Sequence, residues 1–165
     1  MSLLLVVLDA GPLIHLDELA SLHLLEGFSA LLIPNRVWSE AVHHRPALRL
    51  HHIPGATLAE PLGLPPARMT ESAPFGELHA GELAALTLLH EAGGGLLLSD
   101  DDAARQTAVA LGFAVSGTLG LILRGVRRGK ISREDALGLV HEIPARSTLH
   151  ASRRLLQRIT EALPE

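Results

Sequence analysis

Residues 3–14 read LLLVVLDAGPLI: an apolar run from Leu3 to Leu8 that stops at Asp9, with Gly11-Pro12 directly behind it. An uninterrupted apolar run of this kind is what a strand buried on both faces of a parallel sheet requires, because such a strand has no solvent face to alternate toward. Asp9 then stands at the carboxyl end of the strand. Pro12 suits the first turn of a helix, where an N–H has no partner anyway, and Leu13, Ile14, Leu16 and Leu19 space an apolar face along that helix.

The same pattern recurs at Leu96 to Leu98, which deliver Ser99-Asp100-Asp101-Asp102 to the end of a second buried strand. Ala30 to Ile33 is another strand, stopped by Pro34, after which Val37, Trp38, Ala41 and Val42 form a helical stripe with Glu40 beside it. A short helix is expected around Leu22 to Glu26. From Glu77 to Ala92, Leu83, Leu86 and Leu89 recur at helical spacing, Glu82 opens the segment, and Gly93-Gly94-Gly95 supplies the stop. Ala103 to Leu111 reads as a helix, Phe113 to Val115 as a strand, and Gly117 to Arg128 as a helix. Arg133 to Glu142, capped by Ser132 with Asp135 three residues on, and Ser147 to Leu163 read as amphipathic helices. Residues 43–76 hold six Pro and two His pairs and no helical period, so they are expected to be loop with one short strand at Ala56 to Ala59.

Strands alternating with helices imply an α/β fold with a central parallel sheet of four to five strands and right-handed crossovers. At 165 residues one core is the default. Residues 1–128 are expected to carry the α/β domain, with residues 129–165 as C-terminal helices packed on it.

Composition narrows the chemistry. There is no Cys, which removes disulfides and thiolate metal sites and leaves His, Asp and Glu as the strong ligands. Aromatics are only 2%, against a base-stacking platform of the kind many nucleic-acid modules use. Met1 to Leu8 is apolar but short, lacks a basic flank and runs into Asp9, which fits neither a signal peptide nor a membrane span, so a cytoplasmic chain is expected. The net charge of −4 conceals a gradient: residues 1–100 hold 4 Lys+Arg against 11 Asp+Glu, a balance of −7, and residues 101–165 hold 10 against 7, a balance of +3. That arrangement suits an acidic pocket rimmed by later Arg residues.

In open α/β sheets, sites form outside the carboxyl ends of the strands, which is where Asp9 and Asp100 are expected. Carboxylates brought together there raise one another's pKa unless a cation neutralises them. An all-oxygen donor set favours a hard cation such as Mg²⁺ or Mn²⁺.

Five pieces, in this order, resemble the PIN-domain family of metal-dependent nucleases, and within it the small toxins of toxin–antitoxin pairs. They are Val7-Leu8-Asp9-Ala10-Gly11-Pro12-Leu13-Ile14; Ile33-Pro34 with Val37-Trp38-Ser39-Glu40; Gly81-Glu82-Leu83-Ala84-Ala85; Leu97-Leu98-Ser99-Asp100-Asp101 with Ala104-Arg105; and Gly117-Thr118-Leu119-Gly120. With their flanks they span residues 5–128. The resemblance implies a Rossmann-like three-layer α/β/α domain acting as a Mg²⁺- or Mn²⁺-dependent endoribonuclease, with RNA as substrate and an antitoxin protein as partner. It implies that Asp9, Glu40, Glu82 and Asp100 form the acidic quartet, that Asp9 and Asp100 are direct metal ligands, that Glu82 and Glu40 complete the coordination or orient a water, and that Asp101 stands beside them. Where the family often has a hydroxyl residue just after its first Asp, this chain has Ala10-Gly11, and Ser99 and Thr118 are the candidates to supply it. A binding module without turnover is the alternative reading of the same residues.

Outside the quartet, Arg105 is a candidate for phosphate contact or for a structural ion pair. Arg124, Arg127, Arg128 and Lys130 are candidates for gripping an RNA backbone, or for cations at a helix C-terminus. His43-His44 and His51-His52 match no structural zinc spacing. Gly93-Gly94-Gly95 lacks the Lys-Ser/Thr of a phosphate loop. A receiver domain would need a Lys late in the sheet, and the only Lys is Lys130. Leu137, Leu155, Leu156 and Ile159 make the late helices a candidate homodimer surface.

Overall fold

In the computed structural model, which describes residues 4–70 and 77–165, the strand that begins the chain lies at the centre of the sheet. This strand, β1 (Leu5–Leu8), pairs in parallel with β2 (Ala30–Pro34) on one side and β4 (Leu96–Leu98) on the other. The outer strands are β3 (Ala56–Ala59) and β5 (Ala114–Ser116), so five parallel strands run in the order β3-β2-β1-β4-β5. The order reverses between β1 and β4. A crevice opens at that switch point, outside the strands' carboxyl ends.

Val6 and Leu8 face one layer and Val7 the other, as the two-residue period of a strand demands. The first layer packs α1 (Ala10–Glu18), α2 (Asn35–His44), α6 (Thr118–Arg127) and α7 (Arg133–Arg146) through Leu13, Leu16, Val37, Leu121, Ile122 and Val140. The second packs α4 (Ala80–Glu91) and α5 (Asp102–Ala110) through Ala85, Leu86, Leu89, Ala104 and Ala108. A short helix α3 (Ala67–Thr70) adds Met69 to the second layer, and Leu22–Leu25 forms a single 3-10 turn. The last helix, α8 (Arg153–Ala162), lies against the first layer through Leu156 and Ile159, and Leu163 just past it is buried there.

Several boundaries differ from the sequence reading. The helix expected from Glu77 begins at Ala80, because the Glu82 carboxylate turns back to accept the His79 backbone N–H and fixes the start there. The helix expected from Ser147 begins at Arg153: Ser152 caps it by accepting the Leu155 N–H, and Ser147 to Ser152 stay outside the helix. The helix expected to end at Glu142 continues to Arg146 through Pro144. His43 and His44 end α2 rather than lying in a loop, Leu50–His52 forms a second 3-10 turn, and residues 71–76 of the expected loop lie outside the described residues. Among the described residues no helix is long and apolar enough to cross a membrane.

Candidate active site

At the carboxyl edge the sheet ladder continues one residue past the strands. Asp9 N–H donates to the Leu98 carbonyl at 2.9 Å, and Ser99 N–H donates to the Ser116 carbonyl at 2.9 Å. These bonds set Asp9, Ser99 and the β5 turn in a row across the switch point. The fully buried Ser99 hydroxyl donates to Asp9 Oδ2 at 2.8 Å and accepts the Asp101 N–H at 3.1 Å, so one side chain ties together the ends of β1 and β4.

Asp100 is held more tightly. Its Oδ2 takes the Thr118 hydroxyl at 2.6 Å and lies 2.7 Å from His15 Nδ1, while its Oδ1 accepts the Thr118 N–H at 2.7 Å. Burial alone would push this carboxyl up, but the His15 and Thr118 hydrogen bonds outweigh it and hold Asp100 below its ordinary value. Asp9 behaves oppositely. It is buried, and burial raises its carboxyl to about 6, with Glu82 and Glu40 adding repulsion while the Ser99 hydroxyl and the Ala10 N–H work against it.

Glu82 is buried at the third position of α4, its Oε2 on the His79 N–H at 2.8 Å and its Oε1 3.4 Å from His79 Nδ1. The hydrogen bond to Glu82 pushes the exposed His79 ring up. Gly81 lets α4 approach α2 here, since a Cβ on it would stand 3.2 Å from Val37 Cγ2 and 3.5 Å from Glu40 Oε2. Gly117 is more constrained: a Cβ there would overlap the Asp100 carboxylate and come within 2.8 Å of Arg105 Nη1. Arg105 Nη1 donates to the Ser99 carbonyl at 3.0 Å.

A cleft of about 280 Å³ gathers Asp9, Glu40, Glu82, Asp100 and Asp101 around one space. Two groups the sequence reading missed also line it, His15 from α1 and the Thr148-Leu149-His150 stretch that follows α7. That stretch is fixed by Glu18, whose Oε2 accepts the Thr148 N–H at 2.7 Å and the Ser147 hydroxyl at 2.9 Å, with Oε1 accepting the Thr148 hydroxyl at 2.9 Å. Asp101 caps α5, its Oδ1 accepting the Ala104 N–H at 2.8 Å. The cluster at the far end of α6 is elsewhere: α6 starts at Thr118 in the cleft, and Arg124, Arg127 and Arg128 lie two to three turns away from it. Arg124 sits 3.7 Å over the Phe28 ring and donates to the Glu26 carbonyl at 3.1 Å, and Lys130 pairs with Glu26. This guanidinium anchors the turn before β2.

The donors are all carboxylate oxygens, and the repulsion that Glu82 and Glu40 exert on a buried Asp9 is what a hard divalent cation relieves, so the chemistry of the set fits one. Among the described residues no three ligating side chains already converge on one point. Glu40, exposed and with no hydrogen bond to its carboxylate among the described residues, is the ligand with most freedom to turn inward.

A family model described as a PIN domain matches residues 5–165, so it takes in α7 and α8 beyond the 5–128 stretch that carries the sequence resemblance. No curated protein matches this chain.

Proposed function

The chain belongs to the PIN-domain family, whose members are in general nucleases, and on that premise we propose that it is a divalent-metal-dependent endoribonuclease. The observation that carries the reading is the buried Asp9, raised to about 6 amid further carboxylates in a cleft at the sheet's switch point. A site that burdens its own carboxylate in this way suits a cation and the phosphate it brings. Asp9, Glu40, Glu82 and Asp100 would hold Mg²⁺ or Mn²⁺. When bound, such a cation supplies hydroxide near neutral pH and counter-charge for the phosphorane-like transition state.

The protein's own contribution is orientation. Ser99 aims Asp9, His15 and Thr118 fix Asp100, and His79 fixes Glu82, each through hydrogen bonds from groups that are not themselves ligands. Arg105, held on the Ser99 carbonyl beside Asp100, is the one predicted RNA-contacting Arg that lies near the cleft.

One observation favours the alternative of a binding module with little turnover: Asp100 and Asp101 already spend carboxylate oxygens on protein donors. The two readings separate in one experiment, cleavage of a labelled RNA containing stems and loops in Mg²⁺, Mn²⁺ or EDTA by wild type and by folded Asp9→Asn and Asp100→Asn proteins. Metal-dependent cutting abolished by both substitutions supports the nuclease; metal-dependent RNA binding without cutting supports the module. Cutting indifferent to both substitutions overturns the site. A cytoplasmic location, restraint by an antitoxin protein and pairing of two copies extend the proposal, the last tested by sedimentation of the full chain.

A further inference from the structure

Cutting a phosphodiester turns one bridging oxygen into a leaving alkoxide, a strong base at neutral pH. A positioned side chain that protonates it in the transition state typically contributes about 10²–10⁴-fold. Few side chains lining the acidic cleft can give up that proton. Five are carboxylates, the candidate cation ligands and their neighbour Asp101. His15 spends Nδ1 on Asp100 at 2.7 Å, and the Thr148 hydroxyl is donated to Glu18 at 2.9 Å. Ala10, Gly11, Ile14 and Leu149 carry no transferable side-chain proton. His79 does not line this space, and its Nδ1 stands 3.4 Å from Glu82 Oε1. That leaves His150, exposed and with no hydrogen bond or ion pair to its ring among the described residues. Its backbone is nonetheless placed, because Glu18 accepts both the N–H and the hydroxyl of Thr148 two residues earlier. A second cavity, of about 360 Å³, shares Asp100, Leu149 and His150 with the cleft, so His150 stands at the border of the two spaces.

Resting on the ribonuclease reading, we propose that His150 is a catalytic residue, the general acid that protonates the leaving oxygen of the cut linkage. Hydroxide from water forms the new P–O bond as the P–O bond to the bridging oxygen breaks. The electron pair leaves on that oxygen, the protonated His150 ring supplies its proton, and the neutral ring takes up another from solvent. A histidine ring suits this work because it carries and releases a proton near neutral pH. The ring's freedom from other partners leaves its N–H groups available to the substrate, while the bonds from Thr148 to Glu18 keep the backbone that carries it against the cleft. The stretch after α7 thereby has a chemical role that the five resembling motifs do not cover, since all of them end before residue 128 and His150 lies beyond it.

The test compares wild type with His150→Ala and with His150→Gln, which can donate a hydrogen bond but gives up no proton near neutral pH. Each protein receives, in Mn²⁺, one short RNA in three forms: all-oxygen, and with sulfur replacing O3′ or O5′ at the linkage that wild type cuts. A thiolate is a far weaker base than an alkoxide and leaves without a proton. On the all-oxygen RNA both variants are expected to lose about 100-fold in single-turnover rate. On the form whose P–S bond breaks they are expected to cut within about threefold of wild type. Calorimetric Mn²⁺ titration is expected to be the same in all three proteins, because the ring gives a proton and is not a ligand. An undiminished rate on the all-oxygen RNA, an equal loss on the sulfur form, full activity in His150→Gln, or weakened Mn²⁺ binding overturns the role of His150 and leaves the ribonuclease reading standing. If wild type cuts no RNA, both fall.

Discussion

His15 and Asp100, 85 positions apart in the chain, meet at 2.7 Å between Nδ1 and Oδ2, so α1 fixes the carboxylate that β4 delivers. His15→Ala removes that hydrogen bond and leaves Thr118 alone to oppose burial, so the Asp100 carboxyl rises. Loss of a group that orients a ligand typically costs about 10–100-fold in metal affinity. Calorimetric Mn²⁺ titration at pH 7 is expected to show a loss in this range, with a smaller one in His15→Asn, which can still donate.

Asp9 sets the pH dependence. Its folded value of about 6 lies above its ordinary 3.8, so the folded protein holds this proton more tightly than the unfolded chain. The stabilisation from the protonated form is complete below about 3.8 and is lost as pH rises toward and through 6, an effect of about 3 kcal/mol at 1.36 kcal/mol per unit. Asp100, held low, acts with the opposite sign: its contribution exists above its ordinary value and disappears as pH falls through the folded one. Asp9→Asn is therefore expected to stabilise the metal-free protein at pH 7.5 in urea denaturation, by about 2 kcal/mol, while wild-type Mn²⁺ affinity falls about tenfold per pH unit below 6. A destabilised Asp9→Asn protein would contradict the assignment of burial as the cause.

Gly117→Ala places a methyl group on the Asp100 carboxylate and against Arg105. The backbone here is extended, so the cost comes from close approach alone. Overpacking of this kind costs about 1–3 kcal/mol. Denaturation should show that loss together with weakened Mn²⁺ binding, whereas Gly138→Ala, with open space around its Cβ and no left-handed backbone, should leave both stability and metal binding intact.

Glu18→Ala frees Ser147 and Thr148, whose three hydrogen bonds converge on one carboxylate. Hydrogen exchange at Thr148 and Leu149 should accelerate while exchange in β1 and β4 stays protected, with a global cost of about 1–3 kcal/mol. These bonds hold Glu18 below its ordinary value against burial, so in wild type the same acceleration should appear as pH falls through that lowered value.

The frame of the molecule was legible because buried parallel strands must be apolar throughout, and Leu5–Leu8 and Leu96–Leu98 have no other reading that ends in Asp9 and Ser99-Asp100. Once two such strands are neighbours, the acids that follow them are neighbours too. Glu82 was visible as the opening of a helix, though its bond to the His79 N–H, which moves that opening to Ala80, depends on a side-chain rotamer. His15 carried no signal, since nothing local distinguishes a ring facing solvent from one facing a carboxylate on another strand. The stretch Ser147 to Ser152 reads as helix because its Leu149 keeps the apolar period, and the partner that draws it out, Glu18, is 129–130 residues away. The place of Arg124 over Phe28 is equally silent in the sequence, because that stacking exists only after folding.

The wall made by Thr148, Leu149 and His150 also orders events during synthesis. A ribosome releases Asp9, Glu40, Glu82 and Asp100 before it has made the residues that close the cleft on that side, and domains begin to fold as they emerge. The cleft is thus finished only once Thr148, Leu149 and His150 have been made, and a message truncated after α6 would yield a protein with every carboxylate of the cleft and no wall on that side.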